Sequence, residues 1–416
     1  MVNEQRGTAT TGVLAGIRIA DFSRVLAGPY ATMMLADFGA DVVKIEPPTG
    51  DDTRHWTPPV DASGQATYFG SVNRNKRSVA LDLTDAAGLA EARRLAASAD
   101  VVIENFRPGV MARFGLAYDD VRALNPAAVY CSITGFGAGR GAALAGYDLL
   151  VQAVGGLMSI TGEPDGDPAK AGVALVDVLT GQNALAGILL ALRERDRTGF
   201  GQLVEVDLLG SLLSALTNQA ASTLATGAPP RRLGNAHPSI APYAVFHAAD
   251  RELVIAVGND KQFRALAAAL GEPALADDTR FAANAARVAH RHELTEIIES
   301  VLAEASAAHW IGLLEPAGVP AGLVNDIGEA IAFAEALGLE PVAETRREAA
   351  EAAGDAADAA AEEADPEASA TTAVSRTVAN PIRLSATPAT YLTPPPALDE
   401  HRGADWHPTP SKGPHA

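Results

Sequence analysis

Asp177 stands in the most apolar stretch of the chain to hold a carboxylate, Val173-Ala174-Leu175-Val176-Asp177-Val178-Leu179-Thr180-Gly181. Burying an ionised carboxylate without a partner is costly or drives its pKa upward. Two readings stand for such a residue. It caps the helix that runs on through Asn183 and Leu190, or it has a chemical duty. A second set of residues is cationic and sits at strand ends. Asn73-Arg74-Asn75-Lys76-Arg77 precedes one strand, Asn105-Phe106-Arg107-Pro108-Gly109 ends another, and Lys44 and Arg54 lie around the end of a third. Forked guanidinium donors and ammonium point charges in such places suit the phosphates of a nucleotide-type cofactor. Singly they read equally well as solvated surface charges. Together, in a chain of net charge −19, they favour a polyanionic ligand. No Walker loop, no G-x-G-x-x-G after the first strand, no H-E-x-x-H and no G-x-S-x-G is present.

The elements that must position these residues alternate. Ile17–Phe22 has the pattern of a strand, Tyr30, Met33, Met34 and Phe38 recur at helical spacing, and Asp41–Glu46 is a second strand. Strand, helix and strand within about thirty residues make a βαβ unit with a right-handed crossover. The pattern repeats through strands at Ser78–Leu83, Asp100–Asn105, Ala128–Gly135 and Gln202–Val206, with helices between. This predicts an α/β chain with a Rossmann-like open parallel sheet, which binds ligands at the carboxyl ends of its strands.

The 416 residues favour two domains. We expect a disordered tail over 1–13, a large domain over 14–226 and a smaller α+β domain over 227–325. The chain then returns to the large domain over 326–342 and 377–402, and ends in a tail over 403–416. Residues 343–376 hold nine Asp/Glu and three Arg and no apolar stripe, which reads as an acidic low-complexity insertion.

Composition narrows the function. Hydrophobic residues at 48% and charged residues at 20% supply a globular core. The negative balance disfavours nucleic acid and anionic membranes as partners. The lone Cys131, in the strand-like run Ala128–Ile133, makes no intramolecular disulfide and no Cys-rich metal site, and reads as a small core residue. No signal peptide and no uninterrupted membrane-length apolar window are seen, so a cytoplasmic location is expected.

The motifs, taken in order, resemble the family III CoA-transferases of the formyl-CoA and carnitine-CoA transferase type. The resemblance is carried by Asp21-Phe22-Ser23-Arg24-Val25-Leu26-Ala27-Gly28-Pro29, Lys44-Ile45-Glu46-Pro47-Pro48, Asn73–Ser78 and Glu104–Gly109. It continues through Gly135-Phe136-Gly137, Gly146-Tyr147-Asp148, Val176–Gly181, Gly234-Asn235-Ala236-His237-Pro238 and Gly318-Val319-Pro320. It spans about Leu14 to Leu339 and resumes at Val378–His401. The family implies a large Rossmann-like domain made from both chain ends, a smaller domain between, and a homodimer of interlocked rings. It implies acyl-CoA and carboxylic acids as substrates, with no metal.

By this matching Asp177 is the nucleophile. It would attack the donor thioester to give a mixed anhydride, then form an aspartyl-CoA thioester that an acceptor acid resolves. Arg24, Val25, Ala27, Asn105, Phe106 and Arg113 would line the CoA site, joined by Lys44, Lys76 and Arg77. Tyr147, Asp148 and His237 would lie near the nucleophile, His237 on a 234–243 loop that matches a mobile covering loop. The family's frequent basic residue after the second strand is Pro47 here. The His-Pro loop, with Arg231 and Arg232 beside it, suggests a dicarboxylate such as succinate. Two alternatives remain. An α-methylacyl-CoA racemase shares the fold but pairs its aspartate with a histidine where this chain has Tyr147. A non-catalytic acyl-CoA-binding protein would retain the fold without needing Asp177.

Overall fold

The computed structural model describes residues 12–347 and 374–408. The chain divides into two compact units. The described residues of the first fall within Met1–Gly155, Gly172–Thr217 and Leu339–Ala416, and the second holds Gly156–Ala171 and Asn218–Gly338. From the N-terminus the elements are β1 (Arg18–Asp21), α1 (Ala27–Asp37), β2 (Asp41–Glu46), α2 (Thr67–Gly70), β3 (Lys76–Ala80) and α3 (Ala86–Ser98). Then come β4 (Val101–Glu104), α4 (Val110–Arg113), α5 (Tyr118–Leu124), β5 (Val129–Thr134), α6 (Asp148–Val154) and α7 (Leu157–Ile160). They are followed by α8 (Leu175–Thr198), β6 (Leu203–Asp207), α9 (Leu208–Ala215) and α10 (Thr217–Thr226).

The first unit is built on a six-stranded, wholly parallel sheet of order β3-β2-β1-β4-β5-β6. Val42, Val43, Val101, Val102 and Ile103 are fully or almost fully buried, as expected of strands covered on both faces. Strand order reverses between β1 and β4, and it is at the carboxyl ends of strands flanking such a reversal that open parallel sheets bind ligands. The 24-residue helix α8 packs along α1, β5 and β6. It is long and apolar enough to cross a membrane, yet Val176, Ala184, Ile188 and Ala191 lie buried within the unit. A Cβ added at Gly181 would come 2.6 Å from the Ala27 carbonyl oxygen, so only glycine admits this approach of α8 to α1.

One strand begins earlier than expected. β3 starts at Lys76 rather than Ser78, with Lys76 paired to Val42 and Arg77 to Val43. Lys76 and Arg77 are therefore sheet residues and not a loop before the sheet.

The second unit contains β7 (Tyr243–His247), β8 (Glu252–Ala256), α11 (Asp260–Ala269), α12 (Asn284–Ala289), α13 (Arg291–Leu302), α14 (Ala307–Leu314), β9 (Ala321–Leu323) and α15 (Ile327–Ala336). Its antiparallel sheet has the order β7-β8-β9 and encloses Phe246, Phe263, Phe281 and Trp310 with α11, α13 and α14. The unit is larger than the expected 227–325. It takes α15, and it takes residues 156–171, where Gly234 N–H donates to the Gly162 carbonyl and Arg232 donates to the carbonyls of Glu163 and Gly166.

The acidic segment also needs redrawing at its ends. β10 (Val342–Arg346) and β11 (Val374–Val378) pair as an antiparallel ribbon, while 348–373 lie outside the described residues. The expected C-terminal tail is docked through its first part. Trp406 packs on the core and donates through Nε1 to Ser98 Oγ at 2.8 Å, and Arg77 donates to the Asp405 carbonyl.

Candidate active site

Asp177 is the third residue of α8. The residue before the helix, Ala174, has no side-chain cap to offer. The cap comes from elsewhere: Asp148, at the start of α6, accepts the N–H of Val176 at 2.8 Å and of Asp177 at 3.3 Å, and Gln152 Nε2 donates to its other oxygen at 2.6 Å. Asp177 is thereby freed from capping, and among the described residues nothing hydrogen-bonds to its carboxylate. Burial, helped by the neighbouring Asp148 charge, pushes the Asp177 carboxyl up to about 7. A carboxylate poised there is half ionised near neutrality and more nucleophilic than an ordinary one.

Tyr68 on α2 belongs to the same place. Its phenol is pushed up to about 12 by burial and by the charges of Asp177, Asp148 and Asp51. Sequence reading missed it, because a four-residue helix between two loops carries no periodicity. Tyr68, Val25, Tyr30, Ala174 and Val178 pack against a small buried cluster of Leu26, Met33 and Val72, with Asp177 next to Val178 in sequence. Asp177 and Gly181 are one turn apart and share a helix face, so Asp177 looks toward the start of α1. Tyr147 precedes α6 with its ring 72% exposed, beside Asp148 in sequence.

The turn after β1 and the loop after β4 are joined at the carboxyl ends of the two strands. Arg24 N–H donates to Asn105 Oδ1 at 2.9 Å, and Asn105 Nδ2 donates back to the Arg24 carbonyl at 2.7 Å. The Arg24 guanidinium sits 5.6 Å from the centre of the Phe106 ring and pairs with the exposed Asp52. Val25 follows with a φ of 66°, a left-handed conformation that β-branched residues rarely adopt. Ala27 opens α1 and is buried. The structure thus brings Arg24, Val25, Ala27, Asn105 and Phe106 together. Arg113 lies on α4, exposed, with Arg107 close by in the loop before it.

The cations around β2 and β3 are a correction to the expected phosphate site. Lys44 and Lys76 are buried beneath the turn, Lys44 paired with Asp51 at 2.9 Å and Lys76 with Asp21 at 3.3 Å. Arg74 is buried in a bidentate pair with Asp37, Arg77 pairs with Asp41, and Arg54 with Glu46. Lys76 points inward because it is on a strand, toward Asp21 on β1. Burial brings its ammonium down to about 8, still charged at neutrality. Burial opposes the ionisation of Asp21, and Lys76, Lys44, Ser23 and Thr32 outweigh it and keep its pKa low. Among the described residues, by contrast, no carboxylate pairs with Arg107, Arg113 or Arg140, which lie beyond the carboxyl ends of β4 and β5 and are exposed.

His237 belongs to the second unit. Its Nδ1 accepts the Ser239 N–H at 3.1 Å and its ring lies 5.3 Å from that of Tyr243. The 234–243 loop is held there by Asn284, which donates to the Ser239 carbonyl and accepts from Ala241 N–H, and by Arg287 and Arg291, which donate to the carbonyls of Ala241 and Pro238. Arg232 is likewise spent on backbone carbonyls, which leaves the exposed Arg231 as the free cation of that pair among the described residues.

Comparison with known proteins agrees with this geometry. Residues 14–402 match the model of CoA-transferase family III. A succinate–glutarate CoA-transferase of Agrobacterium fabrum is 46% identical over 398 residues, 94% of each chain. A mouse succinyl-CoA:glutarate CoA-transferase is 44% identical over 78% of this chain and 74% of its own length. Among solved structures, a CAIB/BAIF family protein of Brucella suis superposes with a TM-score of 0.80 at 40% identity, covering 94% of this chain and 97% of that one. The six-stranded parallel sheet, the small antiparallel sheets and the motifs from Asp21 to His401 have one common explanation, and the chain belongs to CoA-transferase family III.

Proposed function

We propose that the protein transfers coenzyme A from succinyl-CoA to a second dicarboxylic acid, with Asp177 as the covalent carrier. The observation that carries this reading is the Asp177 carboxylate itself, relieved of capping by Asp148 and held in a half-buried site with its pKa about 7. Its oxygen attacks the thioester carbonyl, the C–S bond breaks, and CoA leaves as the thiolate. The thiolate returns to the aspartyl carbonyl, forming Asp177–CoA and releasing succinate. The acceptor carboxylate then attacks this thioester, and the same two steps run in reverse. Each exchange conserves the thioester, so no outside energy source is needed.

The proposed CoA site is the surface formed by the β1 turn and the β4 loop. Phe106 and the Arg24–Val25 turn would receive the pantetheine side, and Arg113 with Arg107 the phosphates. The dicarboxylate reading rests on the relatives, whose names pair succinate with glutarate and, in Haloarcula hispanica, succinyl-CoA with mesaconate. A racemase would need a second base where the exposed Tyr147 phenol stands, and no observation favours it. The reading includes the family's interlocked dimer. The apolar side chains of Leu149, Leu150 and Val154 on α6 and Leu190 on α8 are exposed in the single chain and suit burial by a second copy.

The test is to incubate the purified protein with succinyl-CoA and a panel of acids and to follow the acyl-CoA products by mass. Glutaryl-CoA or another dicarboxylyl-CoA should form with succinate release. Transfer confined to monocarboxylic acids would contradict the substrate class, and proton exchange at an α-carbon without transfer would contradict the reaction.

A further inference from the structure

We infer that Asp51 is a positioning residue for acyl transfer: its carboxylate, clamped by the buried Lys44, holds Val25 in the left-handed conformation that sets the β1 turn against Asp177. The inference rests on Asp177 as the acyl carrier. Three observations support it. First, Val25 has a φ of 66°, an outlier for a β-branched side chain, and such strain persists only where neighbours over-determine it. Second, the neighbour is Asp51. Val25 N–H donates to both its oxygens at 3.1 and 3.3 Å, while Lys44 Nζ pairs with it at 2.9 Å and reaches the Ser23 carbonyl at 2.8 Å. Both side chains of this pair are 1% exposed. Lys44 and Asp51 therefore grip the turn from either side of Arg24. Third, the turn borders the reacting group. Val25 packs on the same cluster of Leu26, Met33 and Val72 as Tyr68, Ala174 and Val178, the last two flanking Asp177 in sequence, and Tyr68 also feels the charges of Asp51 and Asp177.

Asp51 serves a second master that makes it hard to replace. It caps the 3-10 turn over Asp52–His55, where Thr53 N–H and Oγ donate to Oδ1 at 3.0 and 2.7 Å. Asparagine there can accept from Thr53 with its one oxygen, which keeps only the longer, 3.3 Å contact to the Val25 N–H, while its NH2 would face the Lys44 ammonium and the Val25 N–H where Oδ2 now accepts, donor against donor. Asp51→Asn thus keeps the cap and loses the Lys44 half of the clamp.

Glycine reaches positive φ without help, so Val25→Gly separates the two roles. The experiment measures the rate of Asp177 acylation by succinyl-CoA, by quenched intact-mass spectrometry, in the wild type, Asp51→Asn, Val25→Gly and the double variant. Asp51→Asn should slow acylation by roughly tenfold to a hundredfold in the wild-type background, as misplacing a reacting group does, and by less than about threefold in the Val25→Gly background. An equal loss in both backgrounds, or no loss at all, would overturn the clamp. Should Asp51→Asn fail to fold, the neutral pair Lys44→Met/Asp51→Leu, which removes both charges together and the Thr53 cap with them, takes its place; Val25→Gly should then recover part of the lost rate, and no recovery would overturn the clamp. If the wild type transfers CoA but shows no adduct on Asp177, the carrier assignment fails instead, and turnover rates of the same four proteins decide the clamp.

Discussion

The cations around β2 and β3 and those beyond β4 and β5 carry the same charge and meet opposite fates. Arg74, Lys44 and Lys76 are buried and matched to Asp37, Asp51 and Asp21, whereas Arg107, Arg113 and Arg140 stand in solvent without a carboxylate partner among the described residues. The sequence placed cations of both groups in the expected ligand site, Lys44, Lys76 and Arg77 together with Arg107 and Arg113. The structure shows the first group as an internal frame around β1, β2 and β3. Asp37 alone gathers Arg74, Asn75 and Asn380 and so ties the N-terminal strands to the returning end of the chain. The lesson is that a cation becomes available to a ligand when the fold provides it no acid, and sequence spacing does not report this.

The comparison breaks most visibly in stability. Arg74→Ala should cost about 3–5 kcal/mol, since it strands the buried Asp37 charge, while Arg107→Ala should stay within roughly 0.5 kcal/mol of wild type. Denaturant unfolding of the two variants checks this, and equal losses would erase the distinction. In CoA affinity the order reverses. Removing Arg107 or Arg113 should weaken CoA binding by about 1.5–3 kcal/mol each, and the loss should shrink as salt is raised, by calorimetric titration. Loss of neither would put the phosphates elsewhere.

Asp177 sharpens the contrast from the acid side, as a buried carboxylate that was left without a cation. Its folded pKa, about 7, lies above the ordinary 3.8, so between these values the folded state keeps a proton that the unfolded state has lost. Folding stability therefore falls as pH rises through that window, and the full penalty is present above pH 7. Asp177→Asn should be more stable than wild type by about 1–3 kcal/mol at pH 8 and nearly equal to it at pH 4. By the same pKa, acylation should slow as pH falls below about 7 in a pH–rate profile of kcat/KM for the thioester.

Much of this was legible from residue patterns. The β-branched residues Val42, Val43 and Ile45, and Val101, Val102 and Ile103, mark two runs that are buried as parallel strands. Asp177 drew notice because a carboxylate in Val-Asp-Val needs a reason. Its choice between cap and chemistry was not legible, because the competing cap, Asp148, comes from 29 residues away. The β3 register was misjudged because Lys76 and Arg77 read as loop residues until Asp21 and Asp41 are seen facing them. Asp51 was overlooked for a similar reason: Asp-x-Thr signals a local cap, and the Val25 and Lys44 contacts are purely tertiary. The membership of residues 156–171 in the second unit had no local signal, since the segment lies between two helices of the first.

The most direct test of the central claim is to trap the carrier. Wild type and Asp177→Ala are mixed with succinyl-CoA, quenched, and mapped by peptide mass spectrometry with and without hydroxylamine. The wild type should carry a hydroxylamine-sensitive acyl or CoA adduct on the peptide containing Asp177, and the variant none. An adduct on another residue, or turnover that survives Asp177→Ala, would contradict the claim.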